Sequence, residues 1–154
     1  MGHDTTRRLA ILALFVCAVA VFAALVWRRR ADALERNPRL RRQRAAQEFI
    51  RRSLGELRRQ AEAGDAEHFF ALLTRVLQEA IGERLDLPAS GITEAVIDEK
   101  LRPRGLAPAT ANALHELFQQ CNQARYAPAG SPRELKELLP RLEAALQGLQ
   151  EMKG

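Results

Sequence analysis

Apolar and polar positions follow three regimes along the chain. Residues 9–27, LAILALFVCAVAVFAALVW, carry no charge at all. A helix over these 19 residues spans roughly 28 Å at about 1.5 Å per residue, close to the hydrocarbon thickness of a bilayer. From Arg39 to Ala63 the apolar positions thin to a helical stripe of Ile50, Leu54, Leu57 and Ala61, with arginine pairs at 41/42, 51/52 and 58/59 between them. This predicts an amphipathic, solvated helix that Gly64 stops.

Beyond Gly64 the stripes widen. Asp65 is a natural N-cap for a helix whose Phe69, Leu72, Leu73, Val76, Leu77, Ala80 and Ile81 repeat at i, i+3, i+4, a face wide enough to bury. Leu87-Pro88 ends it. Thr93 can cap a short helix from Glu94 to Arg102 with Val96, Ile97 and Leu101 inward, broken by Pro103 and Gly105. Pro108 suits the first turn of a helix running to about Tyr126, with Leu114, Leu117, Phe118 and Cys121 in register. Ser131-Pro132-Arg133-Glu134 reads as a capping box opening a last helix, striped by Leu135, Leu138, Leu139, Leu142, Leu146 and Leu149. Pro140 falls inside that stripe and should kink or divide the helix. No stretch alternates with period two, so the expected fold is all-α. Its parts are a short extracytoplasmic tail (1–8), a transmembrane helix (9–27), a basic juxtamembrane helical segment (28–63) and a small cytoplasmic helical bundle (64–154).

Charge sharpens this division. The whole chain is net +5 with a pI near 10.0. Residues 28–64 hold 12 arginines against 5 carboxylates, net +7, while residues 65–154 hold 10 basic and 13 acidic residues, net −3. The basic character therefore belongs to the stretch beside the apolar run. A cleaved signal peptide is the rival reading of that run, since Arg7-Arg8 resembles a basic n-region. However, the apolar residues continue seven positions past the small-x-small site at Ala18-Val19-Ala20 and meet Arg28-Arg29-Arg30, which favours an uncleaved anchor. Trp27 and Arg28, Arg29 and Arg30 sit where interfacial aromatic and basic residues belong. Eight arginines follow the run (28, 29, 30, 36, 39, 41, 42, 44) and two precede it. The positive-inside rule then places the N-terminus outside and residues 28–154 in the cytoplasm. The bilayer's anionic headgroups become the expected partner of the basic stretch, each nearby arginine worth about 1 kcal/mol. The arginine pairs could instead follow a phosphate backbone. Lipid accounts for them without a second ligand, so nucleic acid stands as the alternative rather than the expectation.

Chemistry-bearing motifs are absent from the sequence: no Gly-rich phosphate loop, HExxH, GxSxG or paired CxxC occurs. No catalytic residue, cofactor-binding residue or metal ligand is assigned, and an enzyme is not expected. His68 and His115 lack a companion at ligand spacing and read as surface or boundary helix positions. Cys121 lies on an apolar stripe and reads as a buried structural thiol. Glu94, Asp98 and Glu99 cluster on the short third helix, where the helix dipole alone favours carboxylates.

Several segments together resemble a known family. They are Gly64-Asp65 opening a helix with Phe69-Phe70, Leu85-Asp86-Leu87-Pro88, Ile92-Thr93, Arg104-Gly105-Leu106-Ala107-Pro108, and Cys121-Asn122-Gln123-Ala124-Arg125-Tyr126-Ala127-Pro128. With the preceding apolar run and its arginines, residues 9–128 resemble the transmembrane and C-terminal cytoplasmic region of BatD, the oxygen-tolerance (aerotolerance operon) family of bacterial envelope proteins. The eight residues before the run leave no place for the periplasmic β-sandwich domains of that family. The resemblance implies a bacterial inner-membrane location. It also implies work beside von Willebrand factor A-domain membrane proteins or a MoxR-type ATPase. The expected function is therefore non-enzymatic docking of partner proteins by the cytoplasmic domain. The candidate partner-binding residues are Glu94, Asp98, Arg125 and Tyr126, near the short helix and the end of the next. The Tyr126 ring could equally pin the chain to the core.

Overall fold

The computed structural model describes residues 16–26 and 37–152. The chain divides into two compact units, Met1–Arg41 and Arg42–Gly154.

In the first unit residues 16–26 are helical. Every one is apolar and every one is exposed, Val16 by 65% and Phe22 by 71%. Among the described residues no helix is long and apolar enough to cross a membrane. The described stretch is only part of the span expected over 9–27. The rest of that span, with Trp27, Arg28, Arg29 and Arg30, lies outside the described residues.

Helix α1 (Pro38–Ala63) is a single unbroken helix that begins in the first unit and continues in the second. The second unit adds α2 (Ala66–Leu85), α3 (Pro108–Ala124) and α4 (Pro132–Glu151). No strand occurs among the described residues. The predicted caps form. Gly64 takes φ +70°, a left-handed conformation that an L side chain resists, and Asp65 then accepts the His68 backbone N–H to start α2. Ser131 and Glu134 make both halves of a capping box at the head of α4.

One apolar core runs through the unit. Phe69, Leu73, Leu77 and Ile81 of α2, Leu114 and Leu117 of α3, and Leu135 and Leu142 of α4 are all buried within it. Helices α2, α3 and α4 pack against one another. At the α3–α4 contact Gly148 has no room for a side chain: a Cβ there would collide with Thr110 Oγ1 and lie 2.7 Å from its Cγ2.

Three expectations need correction. The basic helix is not merely solvated, and the bundle does not begin at residue 64. Leu57 and Ala61 of α1 are fully buried in the common core, Phe49, Ile50 and Leu54 pack against it, and the unit starts at Arg42. Arg58 reaches Glu143 of α4 at 2.6 Å. The arginine pairs fall on the sides of α1 that the buried stripe leaves in solvent, so a high charge count coexists with a core-facing stripe. Secondly, Pro140 neither divides nor ends α4. Pro140 is on the exposed side of α4, as is Lys136, whose carbonyl is the one that loses the proline's N–H. Thirdly, the expected helix over Glu94–Arg102 is a π-helical turn, Ile97–Leu101, continued by a 3-10 turn, Arg102–Arg104. Widening the turn lets Val96, Ile97 and Leu101 all reach the core.

Candidate partner-docking surface

The four candidate residues do not share one surface patch. Glu94 and Asp98 flank the start of the π turn, four residues apart, and both face His115 of α3. His115 Nδ1 lies 3.0 Å from Glu94 Oε1 and its Nε2 lies 3.2 Å from Asp98 Oδ2. A neutral imidazole has one N–H and can satisfy only one of these carboxylates; the imidazolium satisfies both. Asp98 is further held by Arg102 Nε at 2.6 Å. The two carboxylates raise the His115 pKa above its ordinary value, the hydrogen bond to Glu94 contributing most, against partial burial that opposes the charge. This chain of Glu94, His115, Asp98 and Arg102 ties the irregular connection between α2 and α3 to the middle of α3. Glu94 and Asp98 are thus largely engaged within the domain.

Arg125 and Tyr126 lie ten residues beyond His115, about 15 Å further along the axis of α3. They form the turn that ends the helix, with the Arg125 and Tyr126 amides bonded back to the carbonyls of Asn122 and Gln123. Tyr126 does not pin the chain to the core: it is 93% exposed. Among the described residues of Arg42–Gly154 it is the one large hydrophobic side chain left in solvent. Beside it Arg125 joins Glu67, Phe70, Thr74, Cys121 and Pro128 around a groove of about 360 Å³ between the start of α2 and the end of α3. Cys121 at its floor is buried, and burial pushes its thiol up to about 11, so it is an unreactive packing group.

A second depression was not foreseen. Ile50 and Leu54 of α1, Ala80, Glu83 and Arg84 of α2, and Leu146 and Leu149 of α4 line a cleft of about 590 Å³. Burial raises the Glu83 pKa, and Arg84 Nε is buried without a hydrogen-bond partner among the described residues. No local motif announces this cleft. It depends on α1 joining the bundle, which the arginine-rich sequence conceals.

No group of three or more His, Cys, Asp or Glu side chains among the described residues is placed to hold a metal ion. At His115 the two ring nitrogens point to different carboxylates rather than converging with them on one point. His68, the other described histidine, bonds through Nδ1 to its own N-cap, Asp65. Comparison with protein-family models, with curated proteins and with solved structures found no match to this chain.

Proposed function

We propose that the chain is a single-pass bacterial inner-membrane protein whose cytoplasmic helical domain docks partner proteins, without catalysis of its own, in an envelope-associated complex of the BatD kind. The observation that carries the membrane reading is the helix over residues 16–26. A helix with apolar side chains on every side and none of them covered is costly in water, at about 25 cal/mol per Å² of apolar surface, and at home in lipid. The arginines after residue 27 orient it with the C-terminus inside.

Docking is supported by Tyr126. The second unit tucks away its other large apolar side chains but leaves this ring in solvent beside Arg125, and Tyr and Arg are the residue types that anchor protein interfaces. The resemblance to BatD suggests von Willebrand factor A-domain membrane proteins or a MoxR-type ATPase as partners. The test is capture of partners from membranes in mild detergent by the wild-type chain and by Tyr126→Ala combined with Arg125→Glu. Specific loss of those partners in a folded double mutant supports the reading. Full recovery removes this surface.

A further inference from the structure

The arginines of α1 fall into two sets. From 48 to 63 the helix carries four arginines and three carboxylates, net +1. Most of these arginines are matched within the protein: Arg52 pairs with Glu48, Arg59 with Glu56, and Arg58 with Glu143 of α4. From 37 to 47 there are four arginines and no carboxylate, net +4. Arg41, Arg42 and Arg44, and Arg51 just beyond, have no carboxylate within ion-pairing distance among the described residues.

At about 100° per residue, Arg44 and Arg51 lie about 20° apart on α1 and nearly opposite the buried Ala46, Ser53 and Leu57. Both are exposed. The fold therefore holds these two charges on the outward side of a helix whose Leu57 and Ala61 are buried in the core, and supplies acids only to their neighbours.

We propose that this bare face of α1, Arg44 and Arg51, binds the anionic headgroups of a bilayer surface. The inference rests on the membrane-anchored reading and deepens it, because it limits lipid contact to the unmatched arginines and excludes the matched ones. Lipid is preferred to nucleic acid because the same chain carries the uncovered apolar helix over residues 16–26.

The test is arginine footprinting of the full chain with phenylglyoxal, read by mass spectrometry. The chain is placed in nanodiscs of phosphatidylcholine alone or with 30% phosphatidylglycerol. Entry into discs of both kinds tests the anchor itself, and failure to enter either overturns that reading independently. Given entry, modification of Arg44 and Arg51 is expected to slow about fivefold in the anionic discs, the factor that about 1 kcal/mol per arginine implies. Arg52, Arg58 and Arg59 should be unchanged, and ~0.5 M salt should abolish the difference. Equal rates in the two kinds of disc would overturn the proposal. So would protection of the bare set by duplex DNA in phosphatidylcholine discs without protection by phosphatidylglycerol, which would assign the face to nucleic acid.

Discussion

Residues 16–26 and helix α2 are both rich in apolar side chains, yet they meet opposite fates. In α2 Phe69, Leu73, Val76, Leu77 and Ile81 recur on one side, with Glu67, Arg75 and Glu79 elsewhere on the helix, and that apolar side is buried by three other helices. In 16–26 no polar side exists, and Val16, Val19, Val21, Phe22 and Leu25 are all exposed. Hydrophobic content alone does not make a protein core. A helix joins a water-soluble bundle when its apolar residues share a face, and one that is apolar all round needs a different solvent.

Substitutions should separate the two regions sharply. Phe69→Ala or Leu57→Ala in the core should lower the bundle's unfolding free energy by about 2–5 kcal/mol, because each leaves a cavity in a closely packed interior. Phe22→Ala, measured on the same detergent-solubilised chain, should leave it within about 0.5 kcal/mol of wild type. A matching loss in Phe22→Ala would mean that the apolar helix is part of the bundle's stability. The Leu57 result bears on the boundary as well. A fragment of residues 42–154 should unfold cooperatively, while one of residues 64–154, lacking Leu57 and Ala61, should have a clearly lower midpoint by circular dichroism.

Gly148→Ala comes next. The added methyl meets Thr110, so α3 and α4 must separate, at about 1–3 kcal/mol in chemical denaturation. Pairing it with Thr110→Ala should recover part of the loss by removing both crowding atoms, Oγ1 and Cγ2.

The smallest expected effect is the pH dependence set by His115. Its folded pKa is raised above the unfolded value. Its contribution is therefore complete below the unfolded pKa, near 6.5, and is lost as pH rises through the folded value. Wild type should lose stability relative to His115→Gln between about pH 6 and 8, by no more than about 1 kcal/mol for a pair this exposed. His68, raised in the same direction by Asp65, titrates in both proteins and cancels in the difference. A flat difference curve would show that the Glu94–His115–Asp98 bridge does not form in solution.

Much of the fold was legible from local chemistry. Asp65, Ser131 and Glu134 act through neighbours three residues away, so their capping roles were readable in order along the chain. The leucine stripe of α4 was readable because its period is regular. Less was legible where partners are distant in sequence. Glu94 and His115 lie 21 residues apart, and no spacing rule joins a connection to the middle of the next helix. The same holds for Arg58 and Glu143, 85 residues apart, an exposed pair that accompanies the burial of Leu57 and Ala61 in the core. The candidate surface divided for this reason: Glu94 and Asp98 acquired an internal partner, and Arg125 and Tyr126 did not acquire Glu94 and Asp98. Tyr126 itself was undecided, because whether a lone aromatic after a helix folds inward or outward depends on the space the core leaves.

The central claim is that the uncovered apolar helix anchors the chain in the inner membrane with the helical domain on the cytoplasmic side. Paired C-terminal fusions of the full chain to alkaline phosphatase and to a fluorescent protein test it most directly. The account expects a membrane-bound fluorescent fusion and an inactive phosphatase fusion. An active phosphatase with a dark fluorescent fusion would place the domain outside the cytoplasm and contradict the orientation and the docking proposal together.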